Sequence, residues 1–236
     1  MSNIKVMCRF RPLNHKEPRD LCADFDDQTV HVGQQQFNFD KVFTPAASQG
    51  EVYNDCALPI VEAVMEGFNG TVLAYGQTSS GKTYTMTGAG ESEGRGILPR
   101  MISTLFALIE NTEQHIEFSV KVSYAEIYLE KIRDLLDPSR QNLKIHENPS
   151  IYIEGLTETY VSSEGEVLDL MKQGTGNREV AYTQMNAGSS RSHAIFVVSV
   201  SQTNTLDYSG KTGKLYLVDL AGSEKIRKTG AEGRQT

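Results

Sequence analysis

The sequence predicts an α/β protein with a central mixed β-sheet, and three observations predict it. Segments with the two-residue alternation of strands and segments with the helical period interleave along the whole chain. The runs Ala194–Val200 and Leu215–Val218 are almost wholly apolar, as buried strands are. The apolar run Thr71–Tyr75 passes directly into Gly76, so a strand feeds a glycine-rich turn.

Taken in order, Ile4, Val6, Cys8 and Phe10 alternate with Lys5, Met7, Arg9 and Arg11, the pattern of a half-buried strand that Pro12 ends. Short strands are predicted at Thr29–Val32 and Phe37–Phe39. Ser48 and Glu51 have capping-box spacing, which starts a helix carrying Val52, Ile60 and Val64. Pro59 is expected to kink that helix and Gly67 to stop it. Gly88–Gly96, rich in glycine and charge, reads as an exposed loop. Ile102, Leu105, Phe106 and Ile109 follow the i, i+3, i+4, i+7 rule of an amphipathic helix. Ile116, Phe118, Val120, Val122 and Tyr124 alternate as a long strand, and Ser163 with Glu166 forms a second capping box.

The chain has 236 residues, 39% hydrophobic and 22% charged, as an ordinary globular protein does, with no linker or repeat. The N-terminal Met-Ser-Asn-Ile-Lys-Val lacks a signal h-region, and no apolar run reaches membrane-spanning length, so no membrane span is expected. Cys8, Cys22 and Cys56 form no CxxC pair and read as free thiols of a reducing compartment, the cytoplasm. Asn69-Gly70-Thr71 matches a glycosylation sequon but opens an apolar strand in a chain without a secretion signal. A net charge of −7, from 30 acidic and 23 basic residues, argues against nucleic acid as a partner. It leaves room for a local basic patch on an acidic one.

Gly76-Gln77-Thr78-Ser79-Ser80-Gly81-Lys82-Thr83 fits GxxxxGK[ST]. Glycines let the backbone wrap close to phosphate oxygens, and successive amides with the following helix N-terminus supply partial positive charge. Lys82 would neutralise the β- and γ-phosphates and the Thr83 hydroxyl would ligate Mg²⁺. Asp219 ends the run Leu215–Val218, where a carboxylate beside such a loop makes the second Mg²⁺ contact, usually through water. Alone it would read as a strand-ending Asp; the loop upstream reverses that. Ser189–His193 and Asp219–Glu224 look like the two loops that sense a terminal phosphate.

With these segments in order, the chain resembles the kinesin motor family over nearly its whole length. Arg9-Phe10-Arg11-Pro12 looks like the family's adenine-site strand and Tyr75–Met86 like its P-loop. Asn186-Ala187-Gly188-Ser189-Ser190-Arg191-Ser192-His193 matches the NxxSSRSH switch I loop, and Asp219–Glu224 the DLAGSE switch II loop. Tyr124–Asp137 and Lys214–Lys228 look most like conventional, plus-end-directed kinesins. The resemblance implies a P-loop NTPase of kinesin type with helices on both faces of the sheet, ATP and Mg²⁺ as ligands, and the microtubule as partner. It also implies a cytoplasmic, cytoskeletal location, and allows a dimer through a coiled coil not present here. Arg9, Arg11, Pro12 and Tyr84 would frame the adenine. Ser190 would join the Mg²⁺ and γ-phosphate shell, the Gly222 amide would read the γ-phosphate, and Arg191 with Glu224 would latch the switches. Without the resemblance that pair reads as two solvated charges, worth about 0–1 kcal/mol. His193 reads as a structural member of switch I, because phosphoryl transfer needs positioning more than a strong base.

One segment departs from the family. Asn148–Gly155, where conventional members carry basic residues that contact tubulin, holds no Lys or Arg, and Glu154 reverses the expected charge; Lys144 remains. Fewer cations should weaken capture by an acidic filament. The resemblance also implies that residues 1–236 are a partial motor domain lacking the switch II helix, the last strand and the neck. The cluster Lys225, Arg227, Lys228 and Arg234 then lies where a microtubule-facing loop begins, or is a solvated loop. The last strand of the family lies between Ile4–Phe10 and Thr71–Tyr75, so residues 1–236 alone are expected to be insoluble or molten. The favoured reading is an ATP-hydrolysing microtubule motor. The alternative is a truncated, non-motile nucleotide-binding form. A signalling GTPase ranks last, for want of a guanine-reading NKxD segment.

Overall fold

The computed structural model describes residues 4–15, 17, 23–90, 92–148, 151–185 and 191–224. Its centre is a seven-stranded mixed sheet. Strands β6 (Gly70–Ala74), β7 (Ile116–Tyr128), β8 (Lys131–Asp134), β9 (Gln141–Leu143), β13 (His193–Asn204) and β14 (Gly210–Asp219) run in the order β6-β14-β13-β7-β8-β9, with β12 (Thr159–Val161) also on β7. The β6–β14 pair is parallel and the other pairs are antiparallel, so the predicted mixed sheet forms. Outside it stand β1 (Met7–Arg9) paired with β5 (Lys41–Phe43), a small sheet of β2 (Ala23–Phe25), β3 (Thr29–Val32) and β4 (Gln35–Asn38), and the hairpin of β10 (Ile145–His146) with β11 (Tyr152–Ile153).

Helices α1 (Gln49–Cys56), α2 (Leu58–Met65), α3 (Lys82–Met86), α4 (Ile97–Glu110) and α5 (Glu164–Met185) form one layer. A Cβ on Gly70 of β6 would come within 2.2 Å of Ile60 on α2, and one on Gly174 of α5 within 2.2 Å of Tyr124 on β7. Pairing puts Val72, Leu217, Phe196 and Tyr124 in one row across the sheet, so α2 and α5 cover the same face. The core lies there: Phe196, Val198, Leu215 and Val122 pack with Val61 and Val64 of α2, Met101, Ile102 and Leu105 of α4, and Val167 of α5. Burying such side chains supplies about 1.5–3 kcal/mol each before entropy is counted. Helices on both faces were expected; among the described residues they cover one. On the other face of β6, Leu73 is 59% exposed.

Local signals hold where they are complete. Ser48 and Glu51 form the reciprocal capping box, with Glu51 N–H donating to the Ser48 hydroxyl at 3.1 Å. The expected kink at Pro59 is a full break: Ala57, at φ −120°, separates α1 from α2, and Pro59 sits in the first turn of α2, where its missing N–H costs nothing. At the second box, the Ser163 hydroxyl accepts from Glu166 N–H at 3.3 Å, but the Glu166 carboxylate reaches back to Ser162 N–H at 2.7 Å, one residue early. The Gly88–Gly96 segment is exposed at residues 89, 90, 92 and 93, as expected, and its ends are tied together. Gly88 and Arg95 form a bridge, and a Cβ on Gly88 would lie 2.2 Å from the Gly94 carbonyl oxygen, so glycine here permits backbone to press on backbone. Cys8 and Cys56 are free thiols, as expected, and burial pushes Cys56 up to about 11; Cys22 lies outside the described residues.

The first predicted strand is shorter than Ile4–Phe10 and stands apart from the central sheet. Between β1 and β6 lies a cavity of about 950 Å³, lined by Ile4, Met7 and Arg9 on one side and Thr71, Val72 and Leu73 on the other. On the edge of β6 away from β14, no strand pairs with it among the described residues.

Candidate functional site

The Gly76–Thr83 loop leaves β6 and enters α3 through Gly81, whose φ of 99° only glycine adopts without strain. β14 runs parallel beside β6, with Asp219 opposite Ala74, which delivers the Asp219 carboxylate to the loop. The Thr83 hydroxyl donates to Asp219 Oδ2 at 2.8 Å. The Lys82 ammonium donates to the Gly76 carbonyl at 2.9 Å and the Gln77 carbonyl at 3.0 Å. Thr78, Ser79, Lys82, Thr83 and Asp219 line a second cavity of about 200 Å³ at this point. Asp219 Oδ1 is buried and has no hydrogen-bond partner among the described residues.

The segment after β14 lies along the loop. Leu220 N–H donates to the Ala74 carbonyl and Ser223 N–H to the Gly76 carbonyl, at 3.2 and 3.1 Å. The Glu224 carboxylate accepts from Thr78 N–H at 2.9 Å and from the Thr78 hydroxyl. These bonds, the hydroxyl's first, hold the Glu224 carboxyl below the usual range. Gly222 lies directly beneath that carboxylate, and a Cβ there would meet Glu224 Oε2 at 2.3 Å. Ala221 N–H donates to His193 Nδ1 at 3.1 Å, so His193 ties the start of β13 to this segment and its Nδ1 is an acceptor.

The expected latch is not formed. Arg191 is exposed and makes no ion pair with Glu224, which Thr78 engages instead. Ser190 lies outside the described residues, as do Lys225, Arg227, Lys228 and Arg234.

At the other end of the loop, Arg9, Arg11, Pro12, Ser80, Gly81 and Tyr84 line the mouth of the larger cavity. Arg9 Nη1 donates to Gln49 Oε1 at 2.7 Å and to the Thr85 hydroxyl at 2.9 Å, and its guanidinium stands over the Tyr84 ring at 5.5 Å. Burial lowers the Arg9 pKa from its ordinary value. Arg11 forks onto Glu17, with Nη1 to Oε2 at 2.9 Å, and holds that carboxyl down to about 2.

A buried ionic group behind Asp219 escaped sequence reasoning. Glu126 of β7 is fully buried and paired with Arg133 of β8 and Arg178 of α5. Arg178 also reaches the Ser192 carbonyl at 3.1 Å and Asp219 Oδ2 at 3.7 Å. The signal was present: Glu126 continues the core-facing series Val120, Val122, Tyr124, where a carboxylate needs a cation.

Comparison with known proteins shows the family. The family model described as kinesin motor domain matches residues 7–236. The chain is 54% identical to kinesin-1 heavy chain of Rattus norvegicus, over 98% of this chain and 25% of that protein. To the kinesin heavy chain of Drosophila melanogaster it is 49% identical, again over 98% and 25%. A solved structure of a fast kinesin superposes with a TM-score of 0.92 at 45% identity, covering 98% of this chain and 69% of that one. The chain thus spans about a quarter of the length of these curated relatives, and it belongs to the kinesin motor domain family.

Proposed function

We propose that this chain binds and hydrolyses ATP and, within its full-length protein, couples hydrolysis to movement along microtubules. The observation that carries the reading is the meeting of Lys82, Thr83 and Asp219 where the parallel strands β6 and β14 end. Gly76 to Thr83 hold the triphosphate, Lys82 offsets its charge, and Arg9, Arg11, Pro12 and Tyr84 frame the base. Mg²⁺ fits the donor set: the unpartnered Asp219 Oδ1 beside a threonine hydroxyl suits a hard cation. Thr83, Asp219 and Ser190 would hold that ion, which neutralises charge between the β- and γ-phosphates when bound. The Gly222 amide reads the γ-phosphate, and Arg191 meets Glu224 when the switches close, which requires Glu224 to leave Thr78. Kinesin homologues point to a cytoskeletal, microtubule-bound location, and no described helix is long and apolar enough to cross a membrane.

The test is ATP turnover by the full-length polypeptide with and without microtubules. Strong stimulation is expected, and turnover indifferent to microtubules sinks the motor reading. One observation favours the non-motile alternative: the β10–β11 hairpin presents Glu147 and Glu154 and no Lys or Arg from 147 to 155. The groove between β1 and β6 supports a further expectation, that a strand from beyond residue 236 completes the sheet. Residues 1–236 alone should then melt without cooperativity, and an ATP-raised cooperative melt would refute that.

A further inference from the structure

Gln49 belongs to no recognised motif, yet it is 4% exposed and joins three parts of the base corner. Its Oε1 accepts from Arg9 Nη1 at 2.7 Å, and its Nε2 donates to the Tyr84 carbonyl at 2.7 Å and reaches the Gly94 carbonyl at 3.5 Å. The amide can point only this way. Arg9 offers donors alone and the two carbonyls accept alone, so a flipped amide would oppose like with like. The capping box of Ser48 and Glu51 fixes the first turn of α1, and Gln49 is its first residue, so the amide is presented from a rigid element.

We infer that Gln49 is a positioning residue for base binding: it locks the Arg9 guanidinium and the Tyr84 backbone in register, so that the base frame exists before a nucleotide arrives. The inference rests on the reading of Arg9 and Tyr84 as that frame. Gln49 itself does not line the cavity at whose mouth Arg9 and Tyr84 stand. Its hydrogen bonds go to the base corner and to Gly94, and none goes to Gly76–Thr83, where Lys82 and Thr83 have other partners. An apolar side chain of the same size would fill the space but leave the Tyr84 carbonyl and one Arg9 donor unmatched. Arg9 would then spread over its rotamers, and the nucleotide would have to order it on binding.

This separates two ligands. ATP carries a base and inorganic tripolyphosphate does not, while both carry the groups that Lys82 and Thr83 would meet. In the full-length protein with Mg²⁺, calorimetry should show Gln49→Leu binding ATP about tenfold more weakly and tripolyphosphate within about twofold of the parent. Arg9→Ala should show the same split. Gln49→Glu keeps an acceptor for Arg9 and loses the donor to Tyr84, so it should lie between the parent and Gln49→Leu; being nearly isosteric, it carries the test if Gln49→Leu does not fold. Equal weakening of both ligands would reduce Gln49 to a structural role and overturn the inference. Parent-like ATP affinity in both Gln49 variants, beside a weakened Arg9→Ala, would overturn it and leave the base frame standing. Parent-like affinity in Arg9→Ala as well would remove the frame, and the inference with it.

Discussion

At the base corner, Arg9 is held by Gln49 and Thr85, and Gln49 in turn holds the Tyr84 backbone. On the proposed reading, none of these supporting groups has to let go when the base binds. At the phosphate end, the groups proposed to meet phosphate and metal hold one another: Lys82 the Gly76 and Gln77 carbonyls, Thr83 the Asp219 carboxylate, and Glu224 the Thr78 amide. Glu224 thus occupies an N–H of the very loop proposed to receive phosphate oxygens. A preformed corner lowers the cost of binding, whereas exchangeable ties let the arrangement change with what is bound. The proposed base frame and the proposed phosphate site are built from the same kinds of bonds, and differ in whether the partners have a second use.

The largest effect is expected beneath the phosphate end, where it meets the core. Glu126→Ala would leave Arg133 and Arg178 buried without their carboxylate. Breaking such a buried group by removing one member costs about 3–5 kcal/mol. Melting of the full-length protein should show a loss of that order, with Glu126→Gln losing less. A loss under about 1 kcal/mol would mean that Arg133 and Arg178 do not depend on Glu126. Next comes Lys82→Ala, which removes the formal positive charge proposed to meet the triphosphate. Charged hydrogen bonds contribute about 1.5–3 kcal/mol each, so ATP affinity by calorimetry should fall about a hundredfold. Near-parent affinity would mean that the loop has been misassigned.

Smaller effects are expected at Arg191 and Glu224, the residues proposed to form a latch. Arg191→Ala and Glu224→Ala should each slow single-turnover hydrolysis strongly, and the double variant should be little slower than either, if the two act as one latch. Multiplicative losses would show independent roles. Because Glu224 is tied to Thr78 here, Glu224→Ala should also bind ATP severalfold more tightly while hydrolysing it slowly. Unchanged ATP affinity would show that the Thr78 tie does not compete with phosphate.

What was legible in the sequence was local or fixed by spacing. Thr29–Val32 forms the strand its alternation predicts, and Ser48–Glu51 the cap its spacing predicts, because each needs only neighbouring residues. The path of the Gly76–Thr83 loop is legible for the same reason: its glycines permit the backbone turn. Gln49 and Glu126 were not legible as site residues, since Arg9 lies 40 positions from Gln49 and Arg178 lies 52 from Glu126, and only the fold brings them close. Glu126 had a partial signal, a charge on a core-facing position; Gln49 had none. Arg191 shows a different limit. Its proposed role needs Glu224 as a partner, and here Thr78 engages Glu224 instead.

The smallest effect is expected at Arg11 and Glu17, which belong to the base corner by position but not by support. Their bond is bidentate, but both side chains stay partly exposed, at 34% and 29%, so salt and water screen it. Glu17→Gln should change ATP affinity by less than about twofold at physiological salt, far less than Gln49→Leu. The pH dependence has a definite sign. Arg11 lowers the Glu17 carboxyl from 4.5 to about 2, so the pair's contribution is complete above the ordinary carboxylate pKa and disappears as pH falls from about 4.5 to about 2. Carboxyl NMR of Glu17 across that range should titrate near the lower limit, and Arg11→Ala should return it towards 4.5. A Glu17 titration at the ordinary value in the unaltered protein would show that Arg11 is free of it, and that the base corner has a second arginine as mobile as Arg9 is fixed.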